Sequence, residues 1–168
     1  SGEFDAVTAT LNNVGITAWE VTSIDGDDEL AAMDTENPEL AFRVGTRYTI
    51  QNEGGSLHPL AFRGPDGEVL LSQDGQGSFE SDSETNWIDE DTSVSFTVTD
   101  ALADQLDTYV CTVHSSMEGS IRTIQQTGTD SLADVTMSTQ STDGTSVTVD
   151  SARLDEGGFV TIHDSRLT

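Results

Sequence analysis

The chain has 168 residues, which is enough for one domain with a short appendage. Aspartate and glutamate total 31 against six arginines, and lysine is absent, so the formal net charge is −25. A surface this acidic repels nucleic acids and anionic membranes and excludes both as partners. The single cysteine excludes an internal disulfide, and no apolar run approaches the ~20 residues that span a bilayer. Any membrane contact would therefore need segments outside this chain.

Short alternating apolar runs separated by turn residues predict β-strands in the first half of the chain. The runs FDAVTATL and ITAWEVTSI are predicted to join at an Asn-Asn turn, residues 12–13. The runs LAFRV and RYTIQN are predicted to form a hairpin around Gly45. The turn GPDGE then separates HPLAFRG from VLLSQ.

The second half begins with a long polar loop over residues 74–90, which Phe79 and Trp87 are predicted to pin to the core. SVSFTVT follows as a strand, and DALADQL allows one helical turn capped by Asp100. TYVCTV and GSIRTIQ complete a set of about eight short strands. This pattern predicts an all-β fold, either a sandwich or a barrel.

The pattern changes after residue 128, where DVTMSTQ, TSVTVDSARL and FVTIHDS predict three further strands. Three strands are too few for a secure core of their own. We therefore expect a main domain over residues 1–128 and, over residues 129–168, a β-rich extension or the start of a second domain. The extension either packs on its own sandwich or adds strands to another chain, so the protein is expected to be a monomer or a strand-mediated homo-oligomer.

Three soft or borderline metal donors lie close together in the segment YVCTVHSSMEG, namely Cys111, His114 and Met117. Cys111 ends a predicted strand, and a short loop can fold the other two donors back over its inward side chain. His58, at the start of another predicted strand, is the only plausible source of a fourth donor. Two imidazoles, one thiolate and a weak thioether are the donors of the trigonal, axially capped copper site of electron-transfer proteins.

In identity, order and spacing these residues resemble the ligands of the cupredoxins, the small blue copper proteins. The ligand loop has the length found in amicyanin, and the acidic background resembles that of the halocyanins, the haloarchaeal members. The resemblance covers residues 4–128 and implies a Greek-key cupredoxin β-sandwich with one copper per chain. It further implies His58, Cys111 and His114 as equatorial ligands and Met117 as the axial ligand.

The resemblance implies an electron carrier that moves single electrons between protein redox partners, and not an enzyme. It also implies that His114 reaches the surface and passes the electron, with Leu57, Pro59 and Ser115 around it as the docking patch. The acidic, lysine-free composition resembles that of proteins from haloarchaea, so we expect an extracellular or cell-surface protein of a halophilic archaeon.

The chain departs from the family pattern immediately after the first histidine. In many cupredoxins the residue at this position donates its backbone N–H to the copper thiolate. Here the residue is Pro59, which has no N–H. A sulfur without that hydrogen bond is more electron-rich and stabilises Cu(II), so we predict a lowered reduction potential.

Several alternatives stay open on the sequence alone. A lone cysteine is often only a small buried hydrophobe. Zinc accepts the same Cys and two His, but a fourth Cys, His or carboxylate would then be expected instead of a thioether. The protein is alternatively a surface or adhesion protein that uses the sandwich as a scaffold, or a copper storage or delivery protein with a labile metal. His163 lacks a spaced partner and is predicted to be a surface strand residue.

Overall fold

The structure is a computed structural model that describes residues 5–126, 134–136, 138 and 148–153. The backbone divides into two compact units, residues 1–126 and residues 127–168. The described part of the first unit holds one α-helical turn, α1 (Asp100–Ala103), and a short 3₁₀ helix (Gly55–Leu57). Its strands are β1 (Ala6–Val14), β2 (Ala18–Asp25), β3 (Leu40–Arg43), β4 (Arg47–Asn52), β5 (Leu60–Arg63), β6 (Val69–Ser72), β7 (Ile88–Asp89), β8 (Ser93–Thr97), β9 (Thr108–Cys111) and β10 (Glu118–Ile124).

The first sheet is mixed and has the strand order β2-β1-β4-β8-β7. β1 runs antiparallel to β2 and parallel to β4, and β8 runs antiparallel to both β4 and β7. Tyr48 and Ile50 of β4 and Val94 and Phe96 of β8 are fully buried. These alternate residues share one face of the sheet because successive side chains of a strand point to opposite sides.

The second sheet has the order β3-β10-β9-β5-β6, with β10 parallel to β3 and the other pairs antiparallel. β9 is a central strand of this sheet. Its last residue, Cys111, pairs with Leu60, the first residue of β5. The residues that precede β5 and those that follow β9 therefore emerge at the same end of these two strands.

The two sheets pack face to face around one hydrophobic core that contains side chains of both. At its centre Phe42 meets Tyr48, Phe62 and Phe96 edge-on, with ring centroids 4.7, 5.9 and 5.5 Å apart. Edge-to-face contacts at these distances are favourable for aromatic rings. The all-β sandwich predicted from the sequence is confirmed, as is the packing of Phe79 and Trp87 against the core.

The predicted turn at residues 12–13 is wrong. Both asparagines lie within β1, where Asn13 pairs with Trp19 of β2. The chain reverses at Gly15, whose φ of 57° lies in the left-handed region that glycine adopts at little cost.

The hairpin predicted around Gly45 is also wrong, because β3 and β4 belong to different sheets. The chain crosses from one layer to the other at residues 44–46, where Gly45 has a φ of 85°. Two strands separated by a glycine have the same sequence pattern whether they form a hairpin or cross from one sheet to the other. The cap of α1 is likewise one residue earlier than predicted, since Thr99 Oγ1 accepts a hydrogen bond from the Leu102 N–H at 3.1 Å.

In the second unit, strand β11 (Asp134–Thr136) pairs antiparallel with strand β12 (Ser151–Arg153). Residues 138 and 148–150 of the predicted C-terminal strands lie outside β11 and β12, and the rest of those strands, together with His163, lies outside the described residues. Within the described ranges, no helix is both long and apolar enough to cross a membrane.

Candidate metal centre

Cys111 is fixed by its position in the second sheet. It is the last residue of β9, only 3% of its surface is exposed, and β5 and β10 flank its strand. Its backbone N–H donates to the Met117 carbonyl at 2.9 Å, which closes the ligand loop, residues 112–117, at its base. The thiol is therefore held at the protected edge of the core.

His58 approaches Cys111 from the segment between β4 and β5. His58 caps the C-terminus of the 3₁₀ helix, and its N–H donates to the Gly55 carbonyl at 3.0 Å. His58 is 7% exposed, and its ring lies edge-on to the buried indole of Trp19 with centroids 6.2 Å apart. The absence of a side chain at Gly54 makes room for His58, because a Cβ on Gly54 would lie only 2.8 Å from the His58 Cβ.

Two amide side chains hold the His58 segment from outside. Asn52 Nδ2 donates to the His58 carbonyl and to Gln73 Oε1, both at 2.8 Å, and Asn52 Oδ1 accepts from the Gly54 N–H at 3.0 Å. Gln73 Oε1 also accepts from the Leu60 N–H at 3.1 Å. The Asn52 amide is thus satisfied at both donors and at its acceptor, by the His58 segment and by Gln73, as a buried amide requires.

The structure brings His58, Cys111 and His114 together, with all three ligand atoms within 4.8 Å of one another. Cys111 Sγ lies 3.9 Å from His58 Nδ1 and 3.6 Å from His114 Nδ1. A metal with a thiolate at ~2.3 Å and an imidazole at ~2.0 Å, at angles between tetrahedral and trigonal, separates these atoms by roughly 3.5–3.8 Å. The donor set therefore fits a single metal ion bound through both Nδ1 atoms and the sulfur.

The two imidazoles lie beside each other, with ring centroids 4.7 Å apart. Burial, with the neighbouring His114 as a second cause, lowers the pKa of His58 below its ordinary value. A lowered pKa favours the neutral ring, which is the form that binds a metal.

Met117 lies at the end of the ligand loop and is completely buried in the core cluster. Its N–H donates to the His114 carbonyl at 3.0 Å. The loop thus places the thioether residue and the second imidazole on one short, hydrogen-bonded stretch of backbone. The axial role of Met117 stays a prediction.

Pro59, which follows His58, contacts the ligand loop through its carbonyl, which accepts from the Thr112 N–H at 3.0 Å. A cavity of ≈ 600 Å³ is lined by Pro59 and by Val113 of the ligand loop. Asp74, Asp89 and Asp91 also line it. The surface beside the candidate metal centre is therefore partly apolar and partly acidic.

The sequence analysis missed the residues that support the donors. Asn52 had an available signal, because it shares the inward face of β4 with Tyr48 and Ile50 and is the only polar residue there. Gln73 and Asn37 carried no such signal, since their partners are distant in sequence. Asn37 Nδ2 donates to the Ser116 carbonyl in the ligand loop at 3.2 Å.

Comparison with known proteins yields one partial family match and several structural likenesses. A family model described as a domain of unknown function (DUF7282) matches residues 133–168. Among curated proteins, no sequence is similar enough to this chain to count as a relative.

The similar solved structures include rusticyanins and an amicyanin variant. Reduced rusticyanin is 16% identical with a TM-score of 0.37, over 74% of this chain and 81% of that one. Rusticyanin from Thiobacillus ferrooxidans is 18% identical with a TM-score of 0.36, over 74% and 79%. A reduced amicyanin variant is 18% identical with a TM-score of 0.35, over 70% and 82%.

Proposed function

We propose that the protein is a mononuclear type 1 (blue) copper protein that carries single electrons between protein redox partners. The observation that carries the proposal is the convergence of Cys111 Sγ with the Nδ1 atoms of His58 and His114, at 3.9 and 3.6 Å from the sulfur. Two imidazoles with one thiolate at this spacing form the trigonal plane of such a site.

The donor chemistry favours copper over zinc. A structural zinc site completes its four ligands with Cys, His or a carboxylate. Among the described residues, no further Cys, His or carboxylate belongs to this cluster. The buried residue that closes the loop is Met117, whose thioether is a soft donor suited to copper.

Bound copper would supply a one-electron redox couple, Cu(I)/Cu(II). The protein would contribute a donor set held in place before the metal arrives, because Cys111 is fixed by β9 and His58 by Asn52. With four protein donors no ligand position is open to a substrate, so we propose an electron carrier and not an enzyme.

The surface at this edge suits contact with another protein. His114 is half-buried, whereas Leu57 is 74% and Val113 is 59% exposed. Exposed apolar side chains around a partly accessible imidazole exclude water from a transient contact. We therefore propose that electrons pass through His114, with Leu57 and Val113 in the docking patch beside Pro59 and Ser115.

Voltammetry of the copper-loaded chain tests the proposal. We expect one reversible one-electron wave and one copper per chain. Met117→Leu removes the proposed axial ligand and should raise the potential, because the thioether donates electron density that favours Cu(II). Met33→Leu, at a 53% exposed methionine, is the matched control. Metal loss on reduction, or equal effects of the two substitutions, would count against the assignment.

We propose further that the protein works outside the cell membrane of a halophilic archaeon. The support for a halophilic source is the formal charge of −25 with no lysine. Salt shortens the screening length to ~3 Å at 1 M and so reduces the self-repulsion of such a surface. The unfolding midpoint should rise from dilute buffer to molar KCl, and a flat or falling profile would remove this proposal.

A second candidate function is a surface or adhesion protein that uses the sandwich as a scaffold. The observation that favours it is the separate unit at residues 127–168, with its β11–β12 pair and its match to a domain of unknown function. A chain that stays colourless with Cu(II) would favour this candidate. If residues 127–168 add strands to another copy, sedimentation should show larger species for residues 1–168 than for residues 1–126.

A further inference from the structure

Asn37 lies between β2 and β3, far from the donors in sequence, and its side chain reaches the ligand loop. Its φ of 48° is in the left-handed region, which asparagine tolerates better than most residues. Asn37 Nδ2 donates to the Ser116 carbonyl at 3.2 Å. Its side-chain oxygen and its backbone N–H both bond β2.

Asn37 is itself anchored to a buried residue. Its Oδ1 accepts from the Trp19 N–H at 2.9 Å, and its N–H donates to the Trp19 carbonyl at 2.7 Å. Trp19 is completely buried. The neighbouring Pro38 carbonyl accepts from the Tyr109 hydroxyl at 2.5 Å, which ties the same segment to β9. Asn37 is therefore a fixed point relative to the sandwich.

The bond to Ser116 acts on one rigid group. A peptide unit is planar, so the Ser116 carbonyl and the Met117 N–H move together. Asn37 holds the carbonyl side of this plane, and the His114 carbonyl accepts from its N–H side at 3.0 Å. The plane therefore links the backbones of His114 and Met117 to Asn37, which is itself bonded to β2 of the first sheet.

We propose that Asn37 is a positioning residue that holds His114 and Met117 in their ligand geometry through the Ser116–Met117 peptide plane, an assignment that rests on the proposed function. Pro59 cannot take this role by an N–H or a polar side chain, because it has neither. Its carbonyl bonds only the start of the loop, at Thr112. Without Asn37, the far half of the loop would depend on its internal bonds and on the exposed Ser116 Oγ, which donates to the Ile16 carbonyl at 2.8 Å.

Two substitutions at Asn37 separate its two side-chain bonds. Asn37→Asp keeps an oxygen for the Trp19 N–H but loses the donor to Ser116. Asn37→Gly loses both bonds and tolerates the positive φ. Asn86→Asp is the matched control, since Asn86 has a similar φ of 47°. Its carbonyl accepts from Arg47, which begins β4, whereas Asn52 ends that strand beside the His58 segment.

The first measurement is hydrogen exchange at the Cys111 and Met117 amides in the metal-free chain. We expect exchange about three- to tenfold faster in both Asn37 variants and unchanged in Asn86→Asp, since one net hydrogen bond corresponds to a factor of this size. The second measurement is copper release to a chelator, with the same expected ratios, together with the shape of the thiolate-to-copper absorption.

Wild-type exchange and release in Asn37→Asp would overturn the proposal. Changes confined to Asn37→Gly would also overturn it, because they would assign the role to the Trp19 bond alone. If the wild-type chain binds no copper, the proposed function fails, whereas the exchange comparison in the metal-free chain still decides whether Asn37 holds the loop.

Discussion

The two segments that carry the donors are held in different ways. Residues 52–60, with His58, are fixed by side-chain amides of the sandwich, and Asn52 is 2% exposed. Cys111 is fixed by its place in β9. The ligand loop, with His114 and Met117, is held by its own backbone bonds, by the Pro59 carbonyl and by the side chains of Asn37 and Ser116. The His58 segment thus takes its geometry from the sandwich, whereas the partly exposed ligand loop depends on a few local contacts.

The difference in exposure between His58 and His114 is consistent with different roles for the two imidazoles in the proposed carrier. His58 is 7% exposed and packs against Trp19, so its side of the site is closed to water. His114 is half-buried, and Val113 and Ser115 beside it are exposed. One imidazole therefore closes the site from the core, and the other lies at the protein surface, where we propose that a partner docks.

The largest expected effect comes from removing each imidazole. His58→Gly and His114→Gly should each abolish tight copper binding, because each removes a proposed equatorial ligand. Added imidazole should restore the thiolate-to-copper absorption in His114→Gly, where the vacated space is reached from solvent. It should restore little in His58→Gly. Equal rescue of the two variants would remove the distinction between a closed and an open side.

A methyl group at Gly54 tests the close packing of the His58 segment. Gly54→Ala would place a Cβ 2.8 Å from the His58 Cβ, so one of the two residues must shift. We expect a cost of about 1–3 kcal/mol in the free energy of unfolding, together with weaker copper binding. The control is Gly55→Asn, where no atom lies within 4 Å and asparagine tolerates the φ of 57°. Denaturant unfolding and copper competition give both quantities, and equal losses would show that packing on His58 is unimportant.

Replacement of the Asn52 amide tests the hydrogen bonds to the same segment. Asn52→Asp keeps an acceptor for Gly54 but removes the donors to the His58 carbonyl and to Gln73. The His58 carbonyl, buried and left without its donor, should lower the free energy of unfolding by about 1–3 kcal/mol. Gln51→Glu, an exposed neighbour on β4, makes the same change of charge and should be nearly neutral. A similar loss in both variants would mean that charge, and not the hydrogen bonds, is responsible.

The smallest expected effect concerns the junction of the two segments at Pro59. Pro59→Ala supplies an N–H next to His58 and should raise the reduction potential, because a donor to the thiolate weakens its stabilisation of Cu(II). A bond of about 1 kcal/mol corresponds to some tens of millivolts. Voltammetry on both forms measures the shift. An unchanged or lower potential contradicts the role assigned to proline.

The sequence predicted the sandwich and the four candidate donors, and the structure brings three of them together. The donors were predictable because they are chemically rare in this chain, which has one cysteine and three histidines. Pairing of strands was harder, since alternation fixes the buried face and not the partner. The hairpin at Gly45 failed for that reason. Asn37 and Gln73 could not be predicted, because their roles depend on the pairing of distant segments.

The most direct test of the central claim is a Cu(II) titration of the wild-type chain followed by visible absorption, with Cys111→Ser in parallel. The account predicts an intense thiolate-to-copper charge-transfer band that saturates at one copper per chain and is absent from Cys111→Ser. A weak, non-saturating absorption in the wild type, or an equally intense band in Cys111→Ser, would contradict a copper site formed by His58, Cys111, His114 and Met117.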